Sequence, residues 1–209
     1  MAIYYVDGAS GNDSNAGTTG SPWKTLRNPL NTAAVVSGDV IKVRTATYYE
    51  ELKITKGITY EADTGHTPTI DGRYSPALFG ATGYRTSAGG QVTSEQLPGP
   101  TAANAELGNW VVVGDWVGIV TLAAAGSAIK GFTIRNVCGR AVSVTANNTT
   151  VENCRCDFLY GTGITVDNYS NVLIKDNVIT RASVRYFDPG RTGNVATCLI
   201  VKARDSVIR

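Results

Sequence analysis

The chain of 209 residues is 43% hydrophobic and 17% charged, with 19 Lys and Arg against 17 Asp and Glu. That composition supplies one continuous core and excludes a disordered chain, and its near balance of charge gives no footing for a nucleic-acid partner. The small excess of base lies toward the C-terminus: residues 1–126 hold 8 basic and 11 acidic side chains, residues 127–209 hold 11 and 6, a bias that favours an anionic partner on the second half.

In chain order, "MAIYYVDGASGN" opens without the basic and apolar regions of a secretion signal, because Asp7 and Gly8 interrupt it at once. "IYYV" reads as a strand. "DGASGNDSNAG" reads as a turn whose Asn and Asp side chains bond their own backbone; it lacks the closing Glu and regular spacing of an EF-hand loop. A helical piece is expected near Thr25 to Val36, kinked or shortened by Pro29, which has no N–H to donate. Strands begin at "GDVIKV", and His66 in "DTGHTPTIDG" reads as a turn residue. Residues 80–109, rich in Gly, Ala and Thr, read as a long excursion from the regular elements. The most apolar window, "WVVVGDWVGIVTLAAAGSAI", carries Asp115 and three glycines and reads as strands and turns, so no membrane partner is expected.

Residues 127–209 repeat. "AIKGFTIRN", "TVENCRCDF", "LIKDNVITR" and "SVIR" superpose with Ile129, Val151, Ile174 and Ile208 equivalent, and "AVSVTA", "GITVDN" and "LIVKA" align Val142, Ile164 and Leu199. Each segment alternates apolar and polar residues at period two, and Gly or Asn marks its ends, which is a pattern of short strands and turns. A unit of 22 or 23 residues built this way cannot bury its apolar side alone. Stacking the units does so, which is the logic of a parallel β-helix. The stack predicts Phe132, Cys154 and Asn177 at one bend, and Ile134, Cys156 and Ile179 along the next strand. Cys138, Cys154, Cys156 and Cys198 form no CxxC pair and His66 is the only histidine, so the cysteines read as core filling rather than a zinc site.

The order "YYVDGASGNDSNAGT", "SPWKTL", "GDVIKVRTATYYEEL" and "PTIDG" resembles the start of right-handed parallel β-helix proteins of the pectate-lyase-like superfamily, in particular a polysaccharide lyase branch. The expected fold is all-β, a single-stranded right-handed parallel β-helix with a short N-terminal capping helix. One domain covers residues 1–209: a cap over 1–40, the excursion over 80–109 and regular coils over 127–209. "RDSVIR" begins a coil without finishing it, so the chain is expected to be C-terminally incomplete.

The resemblance implies β-elimination from a uronic-acid polymer, in which a base removes the C5 proton and a cation or Ca²⁺ stabilises the charge that develops on the neighbouring carboxylate. No family motif falls on the candidate residues, which are chosen by position. The column Thr145, Asp167, Lys202 borders an enlarged connection, "ASVRYFDPGRTGNVAT". Lys202 is the candidate base, Arg185 or Arg204 the neutralising cation, and Asp167 and Asp188 the candidate Ca²⁺ ligands. Tyr186, Arg191 and Thr165 are candidate substrate-binding residues. A second outward column, Lys130, Glu152, Lys175 and Arg209, reads as a solvated charge ladder. The competing expectation is a noncatalytic glycan-binding protein or phage tail-spike-like adhesin, trimeric in that case, or a purely structural β-helix. An extracellular or virion-associated setting follows from the resemblance.

Overall fold

The computed structural model describes residues 1–72, 84–85, 91–92, 118–137, 140–159, 162–182, 199–204 and 207–208. The chain opens with β1 (Ile3–Val6), a single-turn helix α1 (Asn28–Asn31), β2 (Val40–Val43), β3 (Thr47–Tyr48), β4 (Leu52–Ile54), β5 (Thr59–Ala62) and β6 (Thr69–Asp71). Of the expected excursion, only β7 (Tyr84–Arg85) and β8 (Gln91–Val92) are described, as an antiparallel pair. Then follow β9 (Gly118–Leu122), β10 (Ala128–Lys130), β11 (Thr133–Val137), β12 (Arg140–Val144), β13 (Thr150–Glu152), β14 (Arg155–Leu159), β15 (Ile164–Ser170), β16 (Leu173–Lys175), β17 (Val178–Ala182), β18 (Leu199–Arg204) and β19 (Val207–Ile208).

Three parallel sheets form the faces of a solenoid. The first face runs β1-β2-β5-β10-β13-β16-β19, the second β17-β14-β11-β6-β3 and the third β18-β15-β12-β9-β4. Each coil visits all three in turn, and the registers are those the repeat predicts: Ile129 pairs with Val151, Val151 with Ile174 and Ile174 with Ile208. Val142 pairs with Ile164 and Ile164 with Leu199. The first coils join the same stacks, since Ile41 pairs with Tyr60 and Tyr60 with Ile129. Ile41, Tyr60, Ile129, Val151, Ile70, Ile134, Cys156, Leu52, Val120, Val142 and Ile164 are closed to solvent, so alternate residues of every face fill one core.

The corners require backbone that most residues avoid. Between the first and second faces, Gly131, Asn153 and Asp176 take positive φ in successive coils, and between the third and first faces Asn148 and Asn171 do the same. Asn and Asp tolerate this left-handed conformation because their short polar side chains bond locally. The Asn171 amide donates to the Asn148 carboxamide oxygen at 2.7 Å, linking one corner to the next. Behind the first corner, Phe132 and Cys154 are buried. Asn177 stands one rung on, accepting from the Cys154 N–H at 2.9 Å and donating to the Val151 carbonyl at 2.8 Å. Cys154 and Cys156 are free thiols. Burial pushes the Cys154 thiol up to about 11 and that of Cys156 higher still, which makes both poor nucleophiles. Cys138 and Cys198 lie outside the described residues.

At the N-terminus, the turn expected over residues 7–17 forms by self-bonding. The Asp7 carboxylate accepts from the N–H groups of Ala9 and Ser10, and Asn12 accepts from that of Ser14. Trp23 stacks on Tyr4 with ring centroids 5.1 Å apart and donates to the Asn15 carbonyl. Gly17 passes so close beneath the indole that a Cβ would come within 2.5 Å of it. The capping helix is shorter than the segment Thr25 to Val36. Only Asn28–Asn31 is helical, with Pro29 in its first turn, where a missing N–H costs no hydrogen bond. The chain leaves the helix extended at Thr32, and the Lys56 ammonium collects the carbonyls of Pro29, Thr32 and Val35.

Candidate functional site

The outward residues of the first face form an alternating charge ladder longer than the repeat alone revealed. In register stand Lys42, Glu61, Lys130, Glu152 and Lys175. Lys42 pairs with Glu61, and Glu152 is met by Lys130 at 3.1 Å and by Lys175 at 3.3 Å. Hydrogen bonds from Lys130 and Lys175 hold the Glu152 carboxyl below its ordinary range. Its contribution is therefore complete above the ordinary Glu range and is lost as pH falls through the lowered value. Pairs of this kind at a wet surface contribute little. Glu152→Ala is expected to lower stability by about 1 kcal/mol or less at low salt and by less in 1 M salt, read from denaturant midpoints. Arg209, at the expected end of the column, lies outside the described residues.

On the second face, Asp71, Arg135, Asp157 and Thr180 share one outward column. Asp71 is fully buried and Asp157 nearly so. The Arg135 guanidinium donates to Asp71 at 2.9 Å, and the Asn136 amide reaches both of its oxygens at 3.0 Å. Asn136 does this from positive φ. Thr180 donates to Asp157 at 2.8 Å. The sequence does not mark these residues as a site: "PTIDG" contributes to the resemblance to β-helix proteins, and its Asp has no assigned role there. The Arg155 guanidinium lies 3.6 Å from Asp157, so each carboxylate of this column has a guanidinium beside it, fixed on strands rather than loops.

The third face carries the residues chosen from the sequence. Its interior columns are apolar, and the opposite pleat begins at Lys53, which is exposed. Lys53 pairs with Thr121, Thr121 with Ser143, Ser143 with Thr165 and Thr165 with Ile200. Thr121, Ser143 and Thr165 thus point away from the axis, yet they are only 3%, 1% and 2% exposed. Among the described residues the Ser143 and Thr165 hydroxyls find no hydrogen-bond partner, and a buried hydroxyl without a partner costs about 1–3 kcal/mol. Thr165→Val, which keeps the shape and removes the oxygen, is expected to raise the midpoint of thermal unfolding by a few degrees, as roughly 1 kcal/mol does in a chain of this size. A lowered midpoint would show that the hydroxyl is satisfied in solution.

Two residues beyond Thr165, Asp167 pairs with Lys202 across β15 and β18, and Ser170 pairs with Arg204. Between these two pairs the register slips by one residue at Asn168, a bulge at positive φ, and bulges re-aim the side chains beside them. Thr145, the expected third member, follows the end of β12, is exposed and donates to the Leu122 carbonyl at 3.2 Å. Arg185, Tyr186, Asp188 and Arg191 lie outside the described residues. Among the described residues no group of three or more His, Cys, Asp or Glu side chains assembles a metal site, and of the two candidate Ca²⁺ ligands Asp167 is described by its backbone position alone.

A family defined as the right-handed β-helix region matches residues 102–208, about half of the chain. The chain belongs to the right-handed β-helix family. Solved structures agree with this right-handed β-helix over most of its length. A rhamnogalacturonan lyase superposes with a TM-score of 0.58 at 16% identity, covering 99% of this chain and 51% of the lyase. A GH136 lacto-N-biosidase from Eubacterium ramulus superposes at 0.55 as the selenomethionine derivative and 0.54 as the native protein, with 14% identity, covering 86% of this chain and 34% of that one. The β-helix described here thus spans about half the length of the lyase and a third of the lacto-N-biosidase, and at these identities the likeness is one of fold. No curated protein matches the chain in sequence.

Proposed function

We propose that this β-helix protein acts on an anionic, uronate-containing polysaccharide by β-elimination, with Lys202 as the base. The observation that supports this reading most is the in-register pairing of Asp167 with Lys202 beside the Asn168 bulge, with Arg204 opposite Ser170 on the same two strands. Parallel rungs about 4.8 Å apart offer a polymer repeated footholds, and strands hold such groups more tightly than loops do. The fold is shared with a rhamnogalacturonan lyase and a lacto-N-biosidase, both named for work on glycans, which supports the substrate class.

In the proposed step, the neutral Lys202 amine takes the C5 proton of a uronate residue, the electron pair forms the C4–C5 double bond and the C4–O bond breaks. The departing oxygen takes up a proton, and the new chain end is an unsaturated uronate. Arg204, or Arg185, neutralises the charge that develops on the uronate carboxylate. Tyr186 and Arg191 are assigned to holding the sugar chain, whereas Thr165, expected from the sequence to share that role, is 2% exposed and is closed to a bound chain; Asp167 with Asp188 would hold Ca²⁺ where the reaction uses it. The test is incubation with a panel of uronate polymers while the ultraviolet absorbance of the unsaturated product is followed, with and without a chelator. Binding to such a polymer with no rise in absorbance would leave a glycan-binding protein and remove the elimination; a chelator with no effect would remove the Ca²⁺ role.

A further inference from the structure

The middle of the third face is shut. Thr121, Ser143 and Thr165, and with them Ile119 and Ala141 on the same outward pleat, are at most 3% exposed. Two residues further along, Thr145 is exposed, and past Thr145 and Asp167 the chain turns the corner toward the first face. Among the described residues, this corner is therefore the open side of the Asp167 and Lys202 rungs.

The side chains that the corner shows to solvent are amides. Asn147, Asn148, Asn168 and Asn171 are exposed, as are Ala125 and Gly126 one coil earlier. Backbone bonds fix the rungs: the Asn148 N–H donates to the Ser170 carbonyl and the Gly126 N–H to that of Asn148, both at 3.0 Å. The Asn147 carboxamide oxygen accepts the Ser170 N–H at 2.8 Å, and that of Asn148 accepts from the Asn171 amide at 2.7 Å. A carboxamide offers two donors and an acceptor with two lone pairs, so these bonds orient the groups without exhausting them. Among the described residues, the amide nitrogens of Asn147 and Asn148, the carboxamide oxygen of Asn171 and the whole carboxamide of Asn168 keep no protein partner. Donors and acceptors held on successive rungs, about 4.8 Å apart, suit the hydroxyls of an extended sugar chain, and they are ordered before it arrives.

Charge narrows the ligand. Residues 123–127, 145–150 and 168–173 contain no charged side chain, whereas Lys202 and Arg204 bring cations one rung on. A carboxylate laid on the amides would give up water without a cation in exchange. An uncharged sugar unit needs only hydrogen bonds. We propose that the corner formed by Thr145, Asn147, Asn148, Asn168 and Asn171 is a glycan-binding strip that takes uncharged sugar units, next to a uronate placed at Lys202 and Arg204. The strip extends the elimination site proposed above and rests on that reading for the adjoining uronate. Its polymer alternates uronates with uncharged sugars.

The test uses the whole chain, ¹⁵N-labelled and carrying Lys202→Ala so that nothing is cleaved. It is titrated with fragments of rhamnogalacturonan and of hyaluronan, which alternate a uronate with an uncharged sugar, and with oligogalacturonate, which is uronate throughout. The side-chain amide resonances of the four asparagines are expected to shift together and saturate with one of the alternating fragments, and oligogalacturonate is expected to bind more weakly. Asn148→Gly and Asn168→Gly keep the positive φ of their positions and remove the amide. Each should weaken the binding about fivefold, the worth of one ordinary hydrogen bond. Amides that stay still with both alternating fragments overturn the proposal, and so does oligogalacturonate binding as tightly as either. Elimination is read separately, from ultraviolet absorbance in the parent. Shifts without a rise in absorbance uphold the strip and remove the elimination beside it; a rise in absorbance with still amides removes the strip alone. If Asn148→Gly does not fold, Asn168→Gly, which breaks no side-chain hydrogen bond, decides.

Discussion

Phe132→Ala is expected to cost the native state about 3–5 kcal/mol, the range for removing a large aromatic side chain from a closed core. The ring is 1% exposed and sits at the corner between the first and second faces, directly after Gly131, whose positive φ turns the chain. Its carbonyl accepts the Arg155 N–H at 2.8 Å, so the backbone on the next rung is pinned and cannot settle into the vacated space. Cys154 and then Asn177 continue the stack, and neither can lengthen to replace a phenyl ring. The loss should appear as a lower denaturant midpoint. Because each coil leans mainly on its neighbours, a smaller denaturant slope is also expected, the sign of coils parting from one another rather than unfolding together. Val178→Ala on the second face is the control. Val178 is 47% exposed and its truncation should change stability by less than about 0.5 kcal/mol. Equal effects from the two would mean that the corner stack is not part of the core.

That corner is legible in the sequence, because three successive coils repeat it at nearly constant spacing and each alternates at period two. The N-terminal coils were harder to read for a simple reason. Glu61 and Lys130 are neighbours in the ladder but 69 positions apart in the chain (130 minus 61), and a period interrupted by so long a connection leaves no trace in the sequence. The charge ladder is therefore legible in the sequence from Lys130 onward and not at Lys42 and Glu61. The pairing of Asp71 escapes for the same cause. Its partners Arg135 and Asn136 lie 64 and 65 positions away, and a lone Asp before Gly reads as an ordinary turn. Thr165 illustrates a different limit. Alternation correctly turned it away from the axis, but whether an outward face meets water depends on what lies over it, and strand periodicity carries no information on that. The helix near Pro29 was foreseen as shortened; its single turn follows from the proline's place in the first turn and from the chain becoming extended at Thr32.

Lys202→Ala is expected to lower the rate of elimination by about two to four orders of magnitude, the usual contribution of a positioned general base, while leaving the thermal midpoint within a degree or two. Lys202 stands opposite Asp167 on the adjacent rung, next to a bulge that breaks the regular alternation, so the strand offers a fixed backbone on which a base can be held at a set distance from a bound chain. The proton to be removed lies beside a carboxylate, and the electron pair it leaves behind needs a cation nearby; Arg204, two residues along the same strand, is the assigned source. The two roles differ in their kinetics. Loss of the base should lower kcat with little change in KM, and should flatten the rise of activity with pH that accompanies deprotonation of an amine. Loss of the cation in Arg204→Ala should weaken both the binding of the carboxylate and its stabilisation in the transition state, so that KM rises as kcat falls. Lys175→Ala provides the comparison, since that lysine belongs to the ladder on the first face, where it pairs with Glu152 and Asp176, and its removal should leave elimination unchanged. Full activity in Lys202→Ala would remove the proposed base. A loss of activity matched by a collapse of the thermal midpoint would assign Lys202 to the stability of the coil instead of to the chemistry.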